Sequence, residues 1–180
     1  FPDFVFGSTQ DGATMKEKDI LRFEGPLGSF FLREDSDKPI IFVASGTGFA
    51  PIKSIIEHMR HQGLSRKIKL YWGGRRPRDF YHDTLCKEWE EKIPHFEYIP
   101  VASDLTPEDT WTGKTGFVHQ VAMQENPDMS GYQVYACGAP IVVESARHDF
   151  VAHCALPADE FYADAFTSAA DLAKKAASAS

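Results

Sequence analysis

From residue 39 onward the apolar positions fall into two patterns that take turns. Ile40, Ile41, Phe42, Val43 and Ala44 form an unbroken apolar run, as expected of a strand buried on both faces. Gly46-Thr47-Gly48 follows, and then Ile52, Ile55, Ile56 and Met59 recur at helical spacing on one stripe. The same alternation continues. Ile68 to Trp72 predicts a second strand, ending in Gly73-Gly74-Arg75-Arg76-Pro77, and Leu85, Trp89 and Ile93 predict a helix through Thr84 to Lys92. Phe96 to Val101 predicts a third strand, Ser103 to Gly116 a polar loop, Phe117 to Glu125 a short helix, and Gln133 to Cys137 a fourth strand. After Gly138-Ala139-Pro140, a helix places Val143, Ala146, Phe150 and Cys154 on one side, and Phe161 to Phe166 predicts a fifth strand. Strands and helices that alternate through short connections predict an α/β fold with a five-stranded, doubly wound parallel sheet. Right-handed crossovers then bring the glycine turn and Cys137 to the same carboxyl edge of that sheet.

Before residue 39 the pattern is different. Phe4 to Phe6 could form a short strand, and Gly7 to Gly12 is turn chemistry. Ile20 to Glu24 alternates in the manner of a half-exposed antiparallel strand, Gly25-Pro26-Leu27-Gly28 breaks it, and Phe30 to Leu32 resumes an apolar patch. Arg33 to Lys38 is a charged connector. A boundary is expected there, with antiparallel β before it and parallel α/β after it. The Ala/Ser/Lys-rich stretch over 168–180 is expected to be a flexible tail.

Composition narrows the function classes. A net charge of −7 argues against nucleic acid as the partner, and no apolar run is long enough to span a bilayer. The three cysteines are far apart and lack a CxxC pair, which excludes a Cys-ligated cluster or structural zinc and fits a reducing, cytoplasmic compartment. His58 and His61 have no acidic or cysteine partner at ligand spacing, so no metal site is expected. The glycine turn at the start of a helix suits a dinucleotide pyrophosphate, with Pro51 tolerated in the first helical turn; it also suits a tight turn with no ligand.

Four separated motifs carry a family resemblance. Gly46-Thr47-Gly48-Phe49-Ala50-Pro51 resembles the GTGxAP turn of the ferredoxin–NADP reductase superfamily, and Tyr135-Ala136-Cys137-Gly138-Ala139-Pro140 resembles its CGxP motif. Gly25-Pro26-Leu27-Gly28-Ser29-Phe30 is similar to the segment that ends its flavin-binding barrel, and Trp111 to Val118 to its W-x-G-x-x-G-x-V loop. Ile20 to Gly28 and Tyr71 to Arg75 are most similar to the CDP-6-deoxy-glucoseen reductases. The resemblance implies an NAD(P)H-binding domain over 39–167, preceded over 1–38 by a remnant of an antiparallel flavin-binding β-barrel and a linker. It implies hydride passage from NAD(P)H to FAD and on to an iron–sulfur domain or protein. The family's arginine–aromatic–serine flavin motif does not occur in this chain, and Gly7 to Thr14 looks like an insertion relative to the family. A dinucleotide-binding fragment with no catalytic activity of its own is therefore the alternative.

The resemblance also assigns residues. Gly46, Thr47, Gly48, Ala50 and Pro51 would hold the dinucleotide, with Gly48 bare so that the pyrophosphate can approach. Cys137, Gly138 and Pro140 would line the face where nicotinamide meets flavin, with Cys137 acting in hydride transfer; taken alone, Cys137 reads as a small buried hydrophobe. Asp164 and Phe166 fall where the superfamily carries an acid and a flavin-shielding aromatic, although Phe166 reads equally as a core aromatic. Gly74, Arg75 and Arg76 follow the second strand where the adenosine ribose would sit, either receiving a 2′-phosphate or forming a solvated basic turn. Ser103 and Asp104 follow the third strand, and an acid there disfavours a phosphate, which favours NADH over NADPH.

Overall fold

A computed structural model describes residues 14–166 apart from Phe23 and Pro26. The strand expected at Phe4 to Phe6, the turn at Gly7 to Gly12 and the tail over 168–180 lie outside the described residues. From residue 40 the elements are β1 (Ile40–Ser45), α1 (Phe49–Gln62), β2 (Ile68–Gly74), α2 (Asp83–Lys92) and β3 (Phe96–Ala102). They continue as β4 (Lys114–Thr115), α3 (Val118–Glu125), β5 (Gln133–Gly138), α4 (Pro140–His153) and β6 (Phe161–Ala165). All six strands are parallel, in the order β4-β3-β2-β1-β5-β6. From β1 the chain first winds outward through β2 and β3, then returns to add β5 and β6 on the other side. The direction of winding therefore reverses between β1 and β5, and open α/β sheets bind ligands at the carboxyl end of such a reversal.

The continuous apolar run reads as expected. Ile40 to Ala44 are all buried, and successive side chains go to opposite faces. Phe42 and Ala44, with Leu70, Trp72, Tyr135 and Cys137, pack beneath α1 and α2. Ile41 and Val43, with Tyr71, Val134 and Ala136, pack beneath α3 and α4. α1 stops where Gly63 takes a left-handed conformation (φ 68°) and its N–H, with that of Leu64, returns to the carbonyls of Arg60 and Met59.

Two expectations are corrected. The sheet has six strands, because Lys114–Thr115 inside the polar loop pairs with Val101 and Ala102. A two-residue strand without an apolar side chain leaves no periodic signal. Ile20 to Glu24 is not a strand in its described residues; Ile20 is 96% exposed. Alternation predicts a half-buried strand only where a neighbouring strand supplies hydrogen bonds and a face, and none of the described residues lies alongside. Among the described residues from 14 to 38, Leu32 is buried against the α1–α2 face, and Phe30 meets the Tyr135 ring edge-on with centroids 6.0 Å apart.

The connector before β1 is fastened to the amino edge of the sheet by one buried guanidinium. Arg66 donates from Nε to the Lys38 carbonyl, from one terminal nitrogen to the Arg33 carbonyl (3.2 Å) and from the other to Gln133 Oε1 (2.7 Å). Gln133 donates onward to Glu160, which also accepts from Lys38 and from the Tyr162 hydroxyl. His58, which the sequence left without a partner, meets Glu34 of the connector at 2.8 Å.

Candidate dinucleotide site

β1 and β5 end side by side, Ala44 opposite Cys137, and each passes directly into a glycine turn. The two turns touch. A Cβ built on Gly48 would overlap the Cys137 carbonyl, and one built on Gly138 (φ 128°) would overlap the Ser45 carbonyl. This corrects the role expected of Gly48: the chain itself occupies the space beside it, so the missing side chain serves the crossing of two backbones. Gly46 is different. Its φ is 54°, nothing lies within 4 Å of where its Cβ would be, and it borders an open cleft. Trp72 fixes this turn by donating from Nε1 to the Gly46 carbonyl (3.0 Å), while its ring stacks on Phe49 at 4.1 Å. Nothing in the residue pattern signals that brace.

The cleft, of about 370 Å³, runs from Gly46 past the ends of β2 and β3 to the start of α3. Gly74, Arg75 and Ser103 line it. The loops there are held together by Ser103, which donates from both N–H and Oγ to the Gly74 carbonyl, and by the Asp104 N–H to the Arg75 carbonyl. Asp79 accepts the backbone N–H groups of Arg76 (3.0 Å) and Arg75 (2.8 Å), and the Arg76 N–H above all holds its carboxyl below the usual range. Arg76 does not line the cleft. The sequence reading missed Phe117, which is 60% exposed on the rim, and His119 and Val142 on the far wall. An exposed aromatic directly after a glycine (Gly116, φ 115°) was the available signal. Gly73 lets the wall close, since a Cβ there would sit 2.9 Å from Val118.

The two helices that follow the glycine turns, α1 and α4, lack a side-chain cap and an acid in the first turn. Their positive ends are left for an anion. Thr47 and Ala50 are exposed at the turn and the first helical residues. Pro51 faces a separate groove beside Phe30 and Phe31, and Pro140 opens α4.

The residues assigned to hydride transfer form a second group next to the crossing. Cys137 pairs with Asp164 across β5 and β6, and the Phe166 N–H donates to the Gly138 carbonyl (2.8 Å). Phe166 is 39% exposed, so it is not a core aromatic. Cys137 is buried at 1% exposure, and burial, then the Asp164 carboxylate, push its thiol up from 9.0 to about 12. It is a neutral thiol packed against the core, with no thiolate chemistry at neutral pH. Burial, then Asp83, push Cys86 from 9.0 to about 12 as well. Both pKa values rise on folding, so the folded chain holds these protons more tightly than the unfolded chain. Stability is complete below the unfolded value of 9.0 and declines as pH climbs toward 12. Denaturation across this range should show that decline, and alkylation near neutral pH should modify none of the three buried cysteines until the chain is unfolded.

A larger cavity, about 860 Å³, lies elsewhere, along the outer edge of β3. That edge is already closed: Glu90 accepts the Tyr98 N–H (2.8 Å), and Pro100 has none to offer. No helix among the described residues is long and apolar enough to cross a membrane.

Residues 42–148 match the oxidoreductase NAD-binding domain family. The chain is 45% identical over 152 residues to the CDP-6-deoxy-L-threo-D-glycero-4-hexulose-3-dehydrase reductase of Yersinia pestis, covering 84% of this chain and 45% of that protein. It is 35% identical over 154 residues to reductase component 1 of terephthalate 1,2-dioxygenase from a Comamonas species, covering 84% of this chain and 45% of that one. Among solved structures, an Amycolatopsis cytochrome P450 reductase superposes with a TM-score of 0.71 at 30% identity, over 80% of this chain and 43% of the other. The chain spans a little under half the length of each of these proteins.

Proposed function

The chain belongs to the oxidoreductase NAD-binding domain family, within the ferredoxin–NADP reductase superfamily, and from that premise we propose that it is the NAD(P)H-binding half of a flavin-dependent reductase. The observation that carries this reading is the contact of the two glycine turns at the β1–β5 reversal, beside an open cleft that ends at an exposed aromatic. In this reading residues 39–167 form the nucleotide domain and residues 1–38 the end of a flavin barrel with its linker.

The cleft fits a dinucleotide. Gly46 leaves room at the turn, and the uncapped starts of α1 and α4 receive the pyrophosphate. Phe117 stacks on the adenine, Arg75 and Ser103 flank its ribose, and the carboxylate of Asp104 disfavours a 2′-phosphate, so that NADH is preferred to NADPH. When bound, NADH supplies a hydride that FAD accepts and hands on as single electrons to an iron–sulfur acceptor. Cys137 and Gly138 keep the nicotinamide side small and dry, burial and then Asp164 keep Cys137 in its neutral form, and Phe166 covers the flavin side. No general base is needed, because no proton leaves carbon in a hydride transfer. The three buried free thiols suit a reducing, cytoplasmic setting.

Calorimetry with NADH tests the reading. We expect single-site binding in the micromolar-to-millimolar range, weaker for NADPH, and about tenfold weaker in Phe117→Ala, the loss of one base–aromatic stack. Phe117 is mostly exposed, so the variant should keep its fold. Equal affinity in wild type and variant would remove the adenine assignment. The alternative, a domain that binds dinucleotide but reduces nothing alone, predicts a colourless protein, and stoichiometric bound FAD would exclude it.

A further inference from the structure

The last turn of α4 gathers three side chains that the dinucleotide site does not use. His148, Asp149 and His153 each bring a ligand atom to within 4.8 Å of the other two. His148 Nδ1 lies 3.0 Å from Asp149 Oδ1, and the two imidazole rings stand nearly perpendicular, 6.2 Å apart. We propose that these residues form a surface site for a divalent transition-metal ion of the zinc class. Metal–ligand bonds of about 2.0–2.2 Å place the ligand atoms of a tetrahedral site roughly 3.4 Å apart. Two of the three side chains are exposed and free to rotate, so the observed spacing closes with small rotamer shifts. The third is half-buried. Asp149 Oδ2 lies 3.5 Å from Nε2 of His119, whose imidazole is only 12% exposed and stands behind the carboxylate where an outer partner would orient a metal ligand. Two imidazoles and one carboxylate suit Zn2+, Ni2+ or Cu2+ and do not suit the all-oxygen preference of Mg2+ or Ca2+. Three protein ligands leave a fourth position to water. The sequence hid the site because histidines five apart are not one helical turn apart; they meet where α4 ends at His153.

The test is titration of the full chain with Zn2+ in a non-chelating buffer. The expected result is one site of micromolar affinity, a raised thermal midpoint on binding, and no response to Mg2+. The double variant His148→Ala/His153→Ala should bind Zn2+ at least tenfold more weakly while its metal-free thermal midpoint stays at the wild-type value, since both side chains are exposed. His58→Ala should bind like the wild type. Absence of Zn2+ binding, or a double variant weakened less than tenfold, overturns the site.

Discussion

Alanine at Gly48 or Gly138 is expected to destabilise the chain by about 3 kcal/mol or more, at the upper end of overpacking in a rigid core. Each new Cβ would meet main-chain carbonyl atoms of the neighbouring turn, Cys137 or Ser45, and neither can swing aside as a side chain could. Gly138 adds backbone strain, because φ of 128° is foreign to an L residue. Gly46→Ala is the matched control. Its Cβ meets nothing, and only the left-handed conformation costs, at roughly 1–2 kcal/mol. Urea denaturation of the three variants checks this. If Gly48→Ala and Gly46→Ala lose the same stability, the turns do not cross as described.

Arg66→Met is expected to cost about 3 kcal/mol, the scale of stranding the partners of a buried charged donor. Methionine fills much of the space with no donor, which leaves the Lys38 and Arg33 carbonyls and Gln133 Oε1 to find water at a buried edge. Burial lowers the guanidinium pKa, while Tyr135, Asp37 and Glu160 oppose the shift. Arg66→Lys keeps the charge without the fork and should fall between wild type and Arg66→Met. Amide exchange over residues 33–38 should quicken in step with the loss. A variant with wild-type stability and unchanged exchange there would mean that the connector is held without Arg66, by Leu32 packing and the contacts of Glu34 and Lys38.

The sheet was legible because a parallel strand buried on both faces tends to be apolar throughout; β1 obeys that rule from Ile40 to Ala44 and β5 from Val134 to Cys137, while β2 departs from it only at Lys69. The glycine turn and Cys137 were placed at one edge by chain topology, and the register of Ala44 with Cys137 brings them together. What stayed hidden depends on contacts distant in sequence. Trp72 looks like a core residue until its indole N–H is seen on Gly46, and Asp79 looks like surface until it is seen holding two backbone N–H groups. Gly48 was given a ligand's space because a sequence cannot show that Cys137 already fills it. Ile20 to Glu24 carried a strand's alternation with no neighbouring strand among the described residues.

The proposed function requires a dinucleotide in the cleft at the β1–β5 reversal, and amide shift mapping of the chain titrated with NADH decides whether one binds there. Saturable changes are expected at Gly46 to Ala50, Gly74 and Arg75, Ser103, Phe117 to His119 and Ile141 to Val143, with the outer edge of β3 unaffected. Changes confined to the larger cavity along β3, at Glu97 to Ile99 and Trp111, or no saturable change at all, would contradict it.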